Sequence, residues 1–215
     1  SWRAVFLAIP LILVMAMGQM MVIICRHVDI SIGSILAFSA IVIGLLYIQF
    51  PGLSLWLSLV ITAFVGLVMG LVNGFIVTRF NVHSIIVTLG TLSLYRGLVF
   101  IVSGGRQIDR NDIPEHVVAF SQTSFLFSIP AILIFSAVIV IITHLVMRHS
   151  VLGREIYATG SNPIAAHLKG INVTKVTLFC FGVCGMLAGV AGLFYASRFG
   201  YVNPGVTGVG IEFIV

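Results

Sequence analysis

The sequence predicts an all-α fold, a polytopic transmembrane helix bundle, and three observations carry that expectation. Hydrophobic residues make up 60% of the 215 positions and charged residues only 8%. A soluble domain typically carries about 25% charged residues, so this chain lacks the polar surface that water demands. Its mean hydropathy is +1.20, and the apolar residues fall in blocks of roughly 20, the length a helix needs to cross a bilayer. The weak ten-residue alternation of a membrane strand is absent from the pattern.

Six spans are expected, at 4–25, 30–50, 53–78, 84–102, 125–147 and 176–197. The first is interrupted only by Gln19, and the polar group Arg26-His27-Val28-Asp29 separates it from the second. Pro51-Gly52 marks a tight turn before the third span, and residues 79–83 form a short polar connection to the fourth. The long loop 103–124 carries Asp109, Asp112 and Glu115, and the tail from Phe199 is rich in Gly and Pro before a new apolar segment at the end. The chain starts at Ser1 and enters a span at once, without a signal-peptide cleavage pattern. It is expected to be a single transmembrane domain over 1–215 and a piece of a longer protein at both ends.

Between the fifth and sixth spans lies a polar stretch, 153–171, that is punctuated as if it folds. Asn162 is a good N-cap and Pro163 suits the first helical position, where its missing N–H costs nothing. Residues 164–168 give a turn or two of helix, Lys169 complements the negative C-terminal end, and Gly170 supplies the left-handed stop. A helix this short is unstable alone, since nucleation outweighs propagation below about 12–15 residues. It must be docked, and it reads as a handle for a soluble partner.

Charge sets the orientation. With the 153–171 stretch in the cytoplasm, that side holds Arg26, Arg79, Arg148, Arg154, Lys169 and Lys175, and the other holds Arg3, Arg106, Arg110 and Arg198. The basic excess and the acidic loop on the far side both agree with the positive-inside rule. The net charge of +5 is accounted for in this way, and no nucleic-acid partner is expected. Cys25, Cys180 and Cys184 all lie in apolar surroundings. No His or acid accompanies them at ligand spacing, so they read as core residues rather than a metal site.

Glycine stripes mark helix contacts. Gly66, Gly70 and Gly74 lie on one face of the third span, and Gly185, Gly189, Gly192 and Ala196 on the sixth. Small residues let backbones approach where lipid gives no hydrophobic drive. Candidate pathway residues are fewer. Arg96 is the one full charge well inside a span, and it is read equally as a functional charge or as a snorkelling anchor. Asp29 precedes Ser31 at the start of the second span, where a cap paired with Arg26 is the simpler role. Thr88, Thr91 and Tyr95 lie roughly on one face of the fourth span, with Asn73 on another helix, either lining a polar path or tying helices together. The sequence holds no HExxH, GxSxG or P-loop pattern, so no ATP hydrolysis or protease chemistry is expected of it. Acids occur in the spans only at their edges, as Asp29 and Glu212, whereas an ion-coupled carrier usually needs one in its core.

Three ordered motifs resemble the membrane permeases of bacterial ABC sugar importers. They are Arg26-His27-Val28-Asp29-Ile30-Ser31-Ile32-Gly33-Ser34, the run Val87-Thr88-Leu89-Gly90-Thr91-Leu92-Ser93-Leu94-Tyr95-Arg96-Gly97, and the stretch from Gly153-Arg154 to Gly170-Ile171-Asn172-Val173. The likeness is to the ribose, rhamnose and autoinducer-2 branch, which is related to the branched-chain amino acid permeases. It extends to 182–198, Asn203-Pro204 and Gly208-Val209-Gly210-Ile211-Glu212. The resemblance implies that 148–175 is a cytoplasmic loop coupling to an ATPase, with Gly153, Arg154, Gly160, Asn162, Pro163, Ala165, Ala166, Lys169 and Gly170 in that role.

It further implies a second permease, the same or similar, ATP-binding cassette subunits that hold ATP-Mg, and a periplasmic sugar-binding protein. The chain itself would bind no cofactor and would lie in the bacterial inner membrane among lipid. A sugar or sugar-like molecule would cross unchanged. A stand-alone secondary carrier or channel is the competing class and a membrane scaffold a third. The scarcity of acids inside the spans argues against the carrier, and the family likeness against the scaffold.

Overall fold

The computed structural model describes residues 2–122, 124–126 and 129–215. Nine α-helices are described: α1 (Trp2–Ile24), α2 (Ile32–Gln49), α3 (Leu55–Phe80), α4 (Ser84–Ser103), α5 (Glu115–Gln122), α6 (Ala131–His149), α7 (Val151–Ser161), α8 (Pro163–Leu168) and α9 (Val173–Phe199). Two very short strands, β1 (Ser124–Leu126) and β2 (Ile129–Pro130), pair antiparallel ahead of α6. Five helices (α2, α3, α4, α6 and α9) are long and apolar enough to cross a membrane, and α1 adds a shorter apolar stretch over Ala8–Ile24. The Arg3 side chain lies outside the described side chains, as does that of Ser124 at the end of the long loop.

α9 is the pillar of the bundle. Of its membrane window 78% is buried, against 22–28% for α3, α4 and α6; α1, α2 and α3 pack around it, and α4 packs on α2 and α3. Its sequence allows this because small residues point several ways. A Cβ on Gly185 would fall against the Gly66 carbonyl and 2.7 Å from Gly70 Cα, and one on Gly189 would fall against the Thr62 carbonyl. On the α1 side, a Cβ on Gly18 would lie 2.7 Å from Cys184 Cα. Backbones meet where side chains are missing, which is how helices gain dispersion contact in a hydrocarbon solvent. The α3 seam runs from Gly74, against Phe181, up to Thr62. A Cβ on Gly192, expected to continue the same stripe, would instead lie 2.6 Å from the Leu36 carbonyl and 3.0 Å from Ala40 N. Gly192 thus faces α2, while Gly185 and Gly189 face α3.

Several boundaries differ from those the apolar pattern predicts. The fifth span begins at Ala131 rather than 125, because the β1–β2 hairpin occupies the start of the apolar run and Pro130 takes the extended N-cap position, φ −60° and ψ 139°. Ser150 ends α6 and caps α7 in one residue, accepting from Gly153 N at 2.9 Å, so most of the stretch read as loop is helix. The loop after α4 holds a second unforeseen helix, α5, whose Ser121 Oγ donates to the Ser197 carbonyl of α9 at 2.8 Å.

The tail after α9 is a chain of turns that leads into a short 3-10 helix at Ile211–Phe213. Gly200, Gly208 and Gly210 all take positive φ, and Val202 pairs with Ile108 in an isolated bridge. Beyond that bridge the chain dips back into the bundle. Arg96, seven residues or about 10 Å inside the end of α4, donates to the Thr207 carbonyl. Gly208 then lies against the Gly33 carbonyl at the start of α2.

Gly185→Leu is expected to destroy the bundle, read as loss of the monodisperse size-exclusion peak in detergent. Gly90→Ala, where an added Cβ meets nothing within 4 Å, should leave stability unchanged or raise it by up to about 1 kcal/mol. An unaltered Gly185→Leu protein would remove the seam from the account.

Candidate functional site

The candidate residues separate into a buried polar chain and a corner on the expected cytoplasmic side. In the first, Asp29, Ser31, Asn73 and Tyr95 come together from the α1–α2 connection, α3 and α4. All four are buried, Asp29 to 1% and Asn73 to 0% exposure. Tyr95 OH shares its one proton between the Met69 carbonyl at 3.0 Å and Asn73 Oδ1 at 3.1 Å. Asn73 Nδ2 donates to Ser31 Oγ at 2.7 Å and to Asp29 Oδ2 at 3.3 Å. Ser31 Oγ and Ser31 N both donate to Asp29 Oδ1, at 2.7 and 2.9 Å. The bonds run one way, from phenol to amide to hydroxyl to carboxylate, and the chain fixes the Asn73 amide in one orientation.

Two roles given to Asp29 from the sequence are corrected here. Ser31, not Asp29, occupies the N-cap position of α2, and Asp29 closes a turn onto the Ser31 amide instead. Nor does Asp29 pair with Arg26. Arg26 adopts a left-handed φ of 65° that swings its side chain away, and its Nη2 donates to the Ser161 carbonyl at 2.7 Å. That carbonyl ends α7, where the helix dipole is negative and a guanidinium is favoured. Asp29 is thus held by neutral donors, the Ser31 amide and hydroxyl and the Asn73 amide. Nearby, burial and then the His83 imidazole keep His27 below the usual histidine range.

The remaining pathway candidates stand apart. Thr88 Oγ1 donates to the Ser84 carbonyl of its own helix at 2.9 Å, and reaches the Val28 carbonyl only at 3.4 Å. Thr91 also bonds within α4, to the Thr88 carbonyl. Arg96 is half-buried and turned to the tail, so it neither snorkels freely nor joins the Asp29 chain.

The corner is built from α7 and α8. A Cβ on Gly153 would collide with the Met147 carbonyl, and one on Gly160 with the Ile24 carbonyl at the end of α1. Gly153 therefore lets α7 fold tightly back on α6, and Gly160 keys α7 into α1. Arg26 and Cys25 strengthen the same joint, with Cys25 Sγ 4.0 Å from the Ile156 carbonyl and 3.4 Å from Cys180 Sγ. Asn162 Oδ1 accepts from Ile164 N and Ala165 N at 3.1 Å each, ahead of Pro163. Lys169 sits at the C-cap and Gly170 at φ +83°. Only Ala166 of α8 is buried. Arg154 and Ala165 are exposed.

Sequence reading did not single out Ile164 and Leu168, which are 75% and 81% exposed on α8. Their i, i+4 spacing inside a polar stretch is the signal that marks them as a face. Nor did it find Gly18 or the Arg26–Ser161 bond, since both depend on distant partners.

A family model described as branched-chain amino acid transport system / permease component matches residues 3–215. The autoinducer 2 import system permease protein LsrC of Yersinia enterocolitica is 34% identical over 212 residues, covering 99% of this chain and 57% of the relative. The LsrC proteins of Yersinia pseudotuberculosis and Yersinia pestis are each 33% identical over 212 residues, 99% of this chain and 59% of theirs. The chain thus spans under two thirds of the length of these curated relatives. No solved structure matches it.

Removing the hub of the polar chain, Asn73→Ala, should cost about 1–3 kcal/mol, because it orphans buried partners. Tyr95→Phe should cost about 0.5–1.5 kcal/mol. Thermal melts in detergent should show the double variant less destabilised than the sum, and strict additivity would mean the two do not act together.

Proposed function

The chain belongs to the branched-chain amino acid transport system / permease component family, and on that footing we propose that it forms part of the translocation subunit of an ATP-driven importer. The cargo is a sugar or sugar-like small molecule, in keeping with relatives named for autoinducer 2 import. As a multi-pass protein of the bacterial inner membrane, it would work as one of two permeases beneath a periplasmic binding protein. ATP-Mg would be bound and hydrolysed on separate cassette subunits, and the chain would be non-catalytic. The substrate would pass without a covalent step.

The observation that carries this reading is the state of α8: capped at both ends, anchored through Ala166, and presenting Ile164 and Leu168 to the outside. A six-residue helix with an apolar face away from its own bundle needs a partner groove to be worth folding. Residues 148–175 are the coupling segment in this reading. Gly153 and Gly160 hold α7 rigidly, Asn162, Pro163, Lys169 and Gly170 shape α8, and Ala165 lies on its exposed side. Closure of the ATPase pair would move α8, α7 would carry the displacement to the end of α1, and the Arg26–Ser31 connection would pass it to Asp29, Ser31, Asn73 and Tyr95. Helices packed through glycine would then shift between two arrangements.

In native membranes, the full-length protein with Cys25, Cys180 and Cys184 replaced by Ala and a single cysteine placed by Ala165→Cys should cross-link to a soluble ATPase, with a yield that changes on adding nucleotide. Ile164→Asp and Leu168→Asp should insert normally yet lose the ATPase on purification. If the cysteine labels from the cytoplasm but traps no ATPase, the coupling reading is wrong.

A further inference from the structure

A second feature of the same corner points away from the soluble side. Where α6 turns into α7, His144, Met147, Arg148, Arg154 and Tyr157 line an open pocket of ≈ 390 Å³. His144 and Arg148 are one turn apart on α6, and Arg154 and Tyr157 one turn apart on α7. The Ser150 cap and the missing side chain at Gly153 fold the two helices tightly enough to bring both pairs to one mouth. Met147 is the buried floor, and the four polar side chains are exposed. Neither guanidinium has a hydrogen bond or ion pair among the described residues. None of the six acids of the chain lines the pocket. Such a set of donors with no carboxylate is suited to phosphate oxygens.

The surroundings say which phosphate. Arg148 stands at the end of a column that continues along α6 through Ile141 and Ile134, spaced by seven residues and therefore on one face. Ile141 is 57% exposed and Ile134 38%. Val151 and Leu152, at the start of α7, are exposed as well. The basic mouth thus lies at the membrane-water boundary with a lipid-facing apolar track above it. That is the layout of a headgroup held at the surface with its acyl chain along a helix, and basic pockets between spanning helices on the cytoplasmic side favour anionic lipid.

We propose that this pocket binds the phosphate of an anionic phospholipid. The site does not depend on the importer reading, since it needs only the membrane and this corner. It would make the α6–α7 joint, and through it α7 and α8, responsive to the charge of the inner leaflet.

The test uses the full-length protein with its other tryptophans replaced by Phe and Leu145→Trp as a reporter one turn from the pocket. It is reconstituted in phosphatidylcholine vesicles containing acyl-brominated phosphatidylglycerol or, in parallel, acyl-brominated phosphatidylcholine. Quenching should show the anionic lipid favoured beside the indole by at least about fivefold. Arg148→Gln/Arg154→Gln should abolish the preference, and Arg148→Lys/Arg154→Lys should keep it. Arg79→Gln, a charge lost elsewhere on the same side, should change nothing. Equal quenching by the two lipids in the unmutated protein overturns the proposal without any variant having to fold, and would leave the pocket to an acidic soluble protein. Relief of quenching by inorganic phosphate would mean that the free anion is the ligand and would also overturn it. An equal loss with Arg79→Gln would reduce the site to general surface charge.

Discussion

The structure depends on carbonyl oxygens standing where a side chain would otherwise be. Lipid is as apolar as leucine, so burying apolar surface does not drive helices together in the bilayer, and close dispersion contact has to do so. α9 obtains that contact from α3 through Gly185 and Gly189, from α2 through Gly192, and from α1 through Gly18. Each contact is with backbone, which cannot rotate aside. Such a seam holds one arrangement firmly and tolerates a second only if whole helices slide or tilt together. The same device recurs outside the seam, where Gly153 sets α7 on α6 and Gly160 sets α7 on α1.

That second use gives the corner its mechanical meaning. From the exposed α8 to the buried Asp29 the path is short and made of stiff joints. Asn162 both ends α7 and caps α8. Ser161, one residue earlier, accepts from Arg26, and Arg26 lies three residues before Asp29. Asp29, Ser31, Asn73 and Tyr95 then join the connection to α3 and α4 through hydrogen bonds that all need to move together. A buried carboxylate kept by neutral groups is costly to leave unpaired, so in the proposed coupling the chain would act as a latch with few acceptable geometries.

Much of this was legible in the sequence, and the failures have physical causes. Span existence follows from composition. The α8 helix follows from Asn162, Pro163 and Gly170, because capping is a local matter written within a few residues. The glycines of α3 and α9 announced close packing, but a stripe cannot name its partner, and Gly192 faces α2. The fifth span was placed too early because an apolar run reads alike as helix or hairpin until Pro130 decides it. α7 was missed since its cap, Ser150, sits at the end of another helix. Asp29 was assigned to Arg26 by proximity in the chain. A left-handed Arg26 and a carbonyl 135 positions away took that arginine instead, and no local pattern records such a competition.

The most direct measurement concerns the joint between α7 and α1. In the full-length protein reconstituted with its ATPase and binding protein, Gly160→Val would drive a side chain into the Ile24 carbonyl while leaving α8 and its exposed face in place. ATP hydrolysis and substrate uptake are then measured in the same vesicles, with Gly90→Val as a control in open space. The account predicts continued hydrolysis with uptake close to lost, and both intact in the control. Uptake per ATP at the unmutated level in Gly160→Val would contradict it, because the displacement would then be reaching the interior by another route.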